Sequence, residues 1–298
     1  MAERVLSTRQ LNRALLARQL LLERSPLPLV RAVEWVGGLQ TQYAPSPYVS
    51  LWSRLRSFRR EELTRALEQR RVVQATLMRA TIHVLSARDF RLFAAGTRRN
   101  RREWWLRVHR KELDGLDMDA VAARLREALE GGPRRADDLK KFLRAEGFPP
   151  AAWSGAGLWL DMVRGPPSGT WDHRRADLYG LADDWLRLSS ATEAEGVAHL
   201  IRRYLGGTRA PVRFLPTWEP SLLVHARRSQ ILPEPYRPVV FATETPHSIS
   251  TFLVDGAVAG SWSYEGGRVR LEPFDTLSRA ARRELESEAE GLAAFHAE

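Results

Sequence analysis

The apolar positions of this 298-residue chain change period along its length. Ser7 and Gln10 make a capping box for a helix expected through about Arg24, with Leu11, Leu15 and Leu22 on one face. Pro26 and Pro28 break it. A second helix is predicted from Leu29 to Val36, stopped at Gly37-Gly38. Leu39-Gln40-Thr41-Gln42-Tyr43, followed by Pro45 and Pro47, reads as a non-helical connection. Apolar spacing resumes from Trp52 to Leu55, and Arg60 to Gln69 reads as a short charged helix with Leu63, Ala66 and Leu67 inward. The period then drops to that of strands. Val72 to Leu77 and Thr81 to Leu85 are rich in β-branched residues, with Met78-Arg79-Ala80 as a tight connection between them. Ser86 with Asp89 caps the next helix.

Helices followed by a two-stranded hairpin follow the winged-helix plan, a variant of the helix-turn-helix. The order recurs: helices over Met118–Leu129 and Ala136–Ala145, another from Pro149-Pro150 through Val163, and a second wing from Thr170-Trp171-Asp172 and Asp177–Leu181. A helix from Glu193 to Leu205 ends at Gly206-Gly207. Beyond Val212 the texture is that of strands: Val239–Phe241, Thr251–Val254, Ala257–Tyr264 and Arg268–Leu271, with turns at Asp255-Gly256 and Glu265-Gly266-Gly267. The expected fold is α+β and mainly helical: tandem winged-helix modules over 1–112 and 113–210, then a small β-barrel or sheet over 211–298 closed by a helix from about Ser278 to Phe295.

Composition narrows the function. There are no cysteines, which excludes disulfides, thiolate zinc sites and iron–sulfur clusters. No apolar run reaches the length of a membrane span, and the N-terminus lacks a signal-peptide core, so a cytoplasmic location is expected. The formal net charge is +10 at pH 7. A basic chain favours a polyanionic partner; the rival explanation is a solvated surface whose arginine content reflects codon bias, since Lys111, Lys140 and Lys141 are the only lysines. Basic residues cluster at Arg54–Arg60 and Arg98–Arg102.

Phosphate-binding loops, dinucleotide fingerprints and His-Glu-x-x-His are absent, and the seven histidines are scattered, so no cofactor or metal is expected. Asp137-Asp138 and Asp183-Asp184 read as helix N-terminal charges, and His199 as a solvated or capping residue. Gln40 and Gln42 stand apart. In an extended segment, positions i and i+2 point to the same side, so two amides could converge on one water; hydrated loop glutamines are the commoner outcome of that spacing.

Three blocks weigh on that choice: Gly37–Gln42 with Leu51–Leu55, Thr76–Asp89, and Phe214-Leu215-Pro216-Thr217-Trp218-Glu219-Pro220 through Pro233. Together, and in this order, they resemble the winged-helix DNA glycosylases of the azinomycin-resistance and interstrand-crosslink-repair family (AlkZ and YcaQ types). The resemblance implies winged helices around a DNA channel and monofunctional hydrolysis of the N-glycosidic bond of N7-alkylated purines, in some members including crosslinks. Duplex DNA carrying such purines is then the partner, with no membrane. It also implies that Gln40 and Gln42 fill the family's Gln-x-Gln motif as the catalytic pair. Arg79, Thr81 and His83 would face DNA from the first wing, with simple strand alternation as the rival for Thr81 and His83. Arg98, Arg99, Arg101 and Arg102 would contact phosphates, joined by Arg54 and Arg228. Trp104-Trp105, Trp159 and Trp171 read as core anchors, with stacking platforms as the rival. The chain departs from the family in two respects. Only Gly206–Pro211 stands where members carry a third winged-helix unit, and Thr41 is more polar than the usual middle residue of the motif. The alternative is a winged-helix DNA-binding protein without catalysis.

Overall fold

The computed structural model describes residues 8–113, 115–186, 190–203, 213–217, 231–241 and 248–297. Ser7, residues 218–230 with Arg228, and the connection at 204–212 fall outside them, as does the side chain of Arg79. In chain order the elements begin with α1 (Thr8–Arg18), α2 (Leu29–Val36), β1 (Leu39–Gln40), α3 (Ser46–Arg54) and α4 (Arg60–Glu68). Then come β2 (Val72–Thr76), β3 (Ile82–Ser86), α5 (Ala87–Val108), α6 (Met118–Leu129), β4 (Arg134–Arg135), α7 (Ala136–Ala145) and α8 (Pro150–Trp159). The remainder are β5 (Met162–Arg164), β6 (Leu178–Leu181), α9 (Ala182–Trp185), α10 (Glu193–Arg203), β7 (Arg213–Leu215), α11 (Arg237–Val240), β8 (Thr251–Val254), β9 (Ala257–Glu265), β10 (Arg268–Pro273) and α12 (Arg279–Ala297). By packing, the chain divides into two units: residues 1–63 with 205–298, and residues 64–204.

In the first unit, α1 stops at Arg18, short of the expected Arg24. Leu20 takes a left-handed φ of 55°, and the Leu21 and Leu20 amides donate to the carbonyls of Leu16 and Ala17 at 2.9 Å each, closing the helix. Leu21 and Leu22 thereby turn into a core with Leu16, Leu215, Ile231, Leu253 and Val258. The C-terminal strands run in the order β10-β9-β8-β7, all antiparallel. Among the described residues this is an open sheet and not a closed barrel. Asp255 and Gly256, at φ 50° and 86°, make the expected two-residue turn between β8 and β9. Val239–Phe241, expected as a strand, instead belongs mostly to the single turn of α11, where Pro238 fixes φ in the first helical turn. The helix α12 covers this unit, with Phe295 at 5.9 Å from Trp52 and 6.0 Å from Phe58. Arg24 stacks over Trp52 at 4.1 Å and pairs with Glu288 at 2.7 Å.

In the second unit, β2 and β3 pair antiparallel from Val72↔Ser86 to Thr76↔Ile82, the hairpin predicted from their β-branched residues. Strand order continues β3-β2-β5-β6-β4. The second wing is built differently from the expectation. Pro150 starts α8 but Trp159 ends it, so Met162–Arg164 becomes the strand that pairs with Leu178–Leu181, while Thr170–Asp172 is a bend. Two cores lie here, one around Phe90, Phe93 and Leu85 and one around Trp105, Leu125 and Leu139. Helices α5 and α10 meet at Gly96 and Gly196, where backbone approaches backbone so closely that a Cβ on either would sit within 2.5 Å of the other. Beside that crossing the buried Asp89 carboxylate accepts from Arg203 Nη2 at 2.8 and 2.9 Å and faces His199 Nε2 at 2.9 Å.

Candidate active site

The Gln-x-Gln segment is held at both ends. Helix α2 finishes at Gly37, in the left-handed region at φ 75°, and the Gly37 and Gly38 amides donate to Glu34 and Val33. Gly38 also takes a positive φ of 92°, a geometry that side chains resist, so the sequence Gly37-Gly38 sets the direction in which Leu39 and Gln40 leave. After the motif, Ser46 donates its amide to Tyr43 O at 2.9 Å and its hydroxyl to Thr217 O at 3.2 Å. Ser53, seven residues further along α3, donates to Phe214 O at 2.7 Å, and Trp262 Nε1 donates to Leu215 O at 2.9 Å. Two of the blocks singled out in the sequence, 37–55 and 214–217, are therefore joined in one unit by α3, which is buried along almost its whole length.

The two amides do not have matching surroundings. β1 ends at Gln40, which is 4% exposed, whereas Gln42 lies in a bend and is exposed. The shared orientation of an extended i, i+2 pair is not reproduced in their accessibility, because the chain leaves extended geometry between them. Thr41 is 2% exposed, and its hydroxyl has no hydrogen-bond partner among the described residues. Tyr43 and Trp35, at 45% and 50% exposure, put two large aromatic surfaces near the motif in sequence.

The basic candidates separate into distinct environments. Arg54 is 1% exposed, its Nη1 donating to Ser50 O at 3.1 Å and Ser50 Oγ at 2.6 Å. It lies inside the first unit rather than on a phosphate-facing surface, because its position on α3 faces the core. On the first wing, Thr81 is half-buried and donates to Met78 O at 3.1 Å, and His83 is buried with Nδ1 3.0 Å from Thr81 O. The outward alternation weighed for these two residues is absent for His83, since the residues on both faces of β3 from His83 to Ser86 are buried.

In the Arg98–Arg102 run, Arg98 makes a two-oxygen contact with Asp161 at 2.7 and 2.9 Å. Arg99 is exposed and pairs with Glu103 at 3.1 Å. Arg101 donates to Thr76 O at 3.1 Å, and Arg102 donates to Leu158 O at 2.8 Å while lying 4.7 Å from the Trp159 ring centre. A helix face read as a phosphate strip is thus used chiefly to hold α5 against α8 and the β2–β3 hairpin.

Comparison with known proteins decides the family. The sequence profile described as DNA glycosylase AlkZ-like matches residues 33–208 and 205–295, most of the chain, including the Gln-x-Gln motif. The chain belongs to the AlkZ-like DNA glycosylase family. The structure of Streptomyces sahachiroi DNA glycosylase AlkZ has the same fold, with a TM-score of 0.75 at 16% identity over 98% of each chain. No curated protein sequence matches this glycosylase. The two profile matches meet at residues 205–208. The glycosylase fold is therefore α+β with antiparallel sheets, and its partner is DNA. No helix among the described residues is long and apolar enough to cross a membrane.

Two features of this glycosylase escaped sequence reasoning. Arg164, one residue beyond the helix expected through Val163 and given no role there, is a buried cation on β5. Trp104, grouped with Trp105 as a core anchor, is 49% exposed while Trp105 is 2% exposed. A Trp-Trp pair on one helix points about 100° apart around the axis, a signal that one of the two faces outward.

Proposed function

We propose that this glycosylase hydrolyses the N-glycosidic bond of N7-alkylated purines in duplex DNA, with Gln42 holding the attacking water and Gln40 supporting that water or the developing sugar cation. The carrying observation is the family match across a Gln-x-Gln segment whose second glutamine is exposed and whose ends are anchored by Gly37 and Ser46. An amide neither gains nor loses a proton near neutrality, so Gln42 orients water without acting as a strong base. Its carbonyl oxygen places partial negative charge beside the sugar. The water oxygen bonds to C1′, the C1′–N9 bond breaks with its electron pair going to the base, and the water's proton passes to solvent. N7-alkylation makes the purine cationic, so it leaves as a neutral molecule and a modest catalyst suffices. Neutral purines lack that driving force and are spared. Gln40, buried in a less polar setting, exerts a stronger field than it would in water.

The lysines, at 111, 140 and 141, lie outside the segment, and Lys140 pairs with Asp137 at 3.3 Å, which supports a monofunctional reaction without a Schiff base. Crosslinked purines carry the same N7 cation and are proposed as substrates of the same step. The proposed location is cytoplasmic, at the nucleoid when the enzyme is bound to DNA. The test is product analysis on a duplex carrying one N7-methylguanine. Release of free 7-methylguanine with an alkali-labile but uncleaved strand supports the reading; strand scission without alkali, or no base release, refutes it.

A further inference from the structure

The second unit encloses a cavity of about 210 Å³ between α5, α8 and the β2–β5–β6 sheet. Two arginines reach its wall. Arg164, 6% exposed, donates Nε to Ala176 O at 3.0 Å and Nη2 to Thr76 Oγ1 at 3.0 Å and the Tyr179 hydroxyl at 2.8 Å. These neutral acceptors hold the guanidinium in place without neutralising it. Arg101 donates Nη2 to Thr76 O, while its buried Nε has no hydrogen-bond partner among the described residues. Burial, and after it the neighbouring Arg98, pushes Arg101 down to about 10 against the opposing pull of Asp161, so it remains a cation at neutral pH. Among the described residues, no acidic side chain lines the cavity.

The remaining wall is aromatic. Trp153 stands edge-on to Tyr179 at 5.1 Å, Arg164 stacks on Tyr179 at 4.7 Å, and Trp105 donates to Ser154 Oγ at 3.0 Å. Gly155 leaves room for the Trp105 ring, which a Cβ there would approach within 2.5 Å. Trp104 lines this cavity and also a neighbouring one of about 570 Å³, shared with Gly96, Asn100 and Leu200.

A partly desolvated cation whose hydrogen bonds go to neutral acceptors is costly, and an anion placed against it relieves that cost. Guanidinium groups match phosphate oxygens, and aromatic faces take planar rings by stacking at about 1–3 kcal/mol per base. We infer that this cavity binds one nucleotide, its phosphate against Arg101 and Arg164 and its base against Trp104. The phosphate-bearing base comes either from a DNA strand or from a free mononucleotide. Neither Gln40 nor Gln42 lines the cavity, so nucleotide binding and base excision can fail independently.

The test titrates the full chain with adenosine 5′-monophosphate, adenosine and ribose 5-phosphate, following tryptophan fluorescence and heat. The monophosphate is expected to bind saturably and each half at least tenfold more weakly, since phosphate and ring are each recognised. Arg101→Gln and Trp104→Ala should each weaken the monophosphate about tenfold or more, whereas Arg107→Gln, on an exposed part of α5, should leave it unchanged. Should Arg101→Gln fail to fold, Trp104→Ala decides, because an indole already 49% exposed is dispensable for the core. A single-stranded trinucleotide that displaces the monophosphate assigns the site to a DNA strand; failure to displace it assigns the site to a free nucleotide. Absence of saturable binding by monophosphate and trinucleotide alike, or binding undiminished in Trp104→Ala, overturns the inference.

Discussion

Gly96→Ala places a methyl group where helix α5 meets helix α10. Its Cβ would lie 2.5 Å from the Gly196 carbonyl carbon and 2.8 Å from Val197 N. Both are backbone atoms, so no side chain can swing aside and the helices must separate. Overpacking of this kind costs about 1–3 kcal/mol. Separation also strains the contacts of His199 and Arg203 with the Asp89 carboxylate, bonds to a charged group that are each worth about 1.5–3 kcal/mol. Against this, Ala is favoured over Gly inside a helix by about 1 kcal/mol. The net expectation is a loss of about 2–4 kcal/mol, equivalent to a fall of roughly 5–15 °C in the midpoint for a domain of this size. Differential scanning calorimetry and urea titration would measure it. Gly291→Ala is the matched control: it lies within α12, and its Cβ would meet only Trp52 at an ordinary 3.5 Å. That variant should gain up to about 1 kcal/mol. If Gly96→Ala is as stable as the parent, or gains like Gly291→Ala, the close crossing and the reasoning built on it are wrong.

Further outcomes follow from the same packing. Thr41→Val should stabilise the chain by about 1 kcal/mol in urea titration, because it removes a buried hydroxyl with no partner among the described residues while keeping its shape; a loss of stability would show that the hydroxyl is satisfied. Arg54→Ala should cost about 2–4 kcal/mol by removing bonds from a buried guanidinium, yet leave the slope of log K against log salt for duplex binding unchanged. A slope reduced by about 0.9 would instead place Arg54 on a phosphate. The Asp183 carboxyl is held below its usual range by its hydrogen bond from Arg91 and then that from Arg126. A depressed folded value means that the contribution is fully present above about pH 4 and is lost as pH falls through the lower folded value. The stability difference between parent and Asp183→Asn should therefore be constant near neutrality and shrink in acid; a difference that grows in acid would reverse the sign.

How much was legible in the sequence depended on whether the signal was local. The β2–β3 hairpin, the Ser86 cap donated to by the Asp89 amide, the Gly37-Gly38 stop and the Asp255-Gly256 turn each rest on neighbouring residues, and each stands where expected. The early end of α1 was not legible, because Leu20 enters left-handed geometry with no glycine to mark it. The second wing was misplaced because Met162-Val163 is an apolar pair too short to tell from a helix end. Charge runs were the least informative. Arg98, Arg101 and Arg102 look alike in sequence, but Asp161, Thr76 and Leu158, distant along the chain, decide what each one does. The Gln-x-Gln motif was visible only through its company of blocks; spacing alone predicted matching exposure for two amides that differ in it.

The most direct measurement is the single-turnover rate of 7-methylguanine release from duplex DNA by the parent, Gln40→Ala and Gln42→Ala, with DNA affinity measured alongside. Loss of one preorganised polar group at a reacting centre typically costs about 10²-fold or more, so a fall of that order is expected for Gln42→Ala, with retained DNA binding and a smaller or equal fall for Gln40→Ala. Excision at the parental rate by both variants would contradict the assignment of these two glutamines to the chemical step.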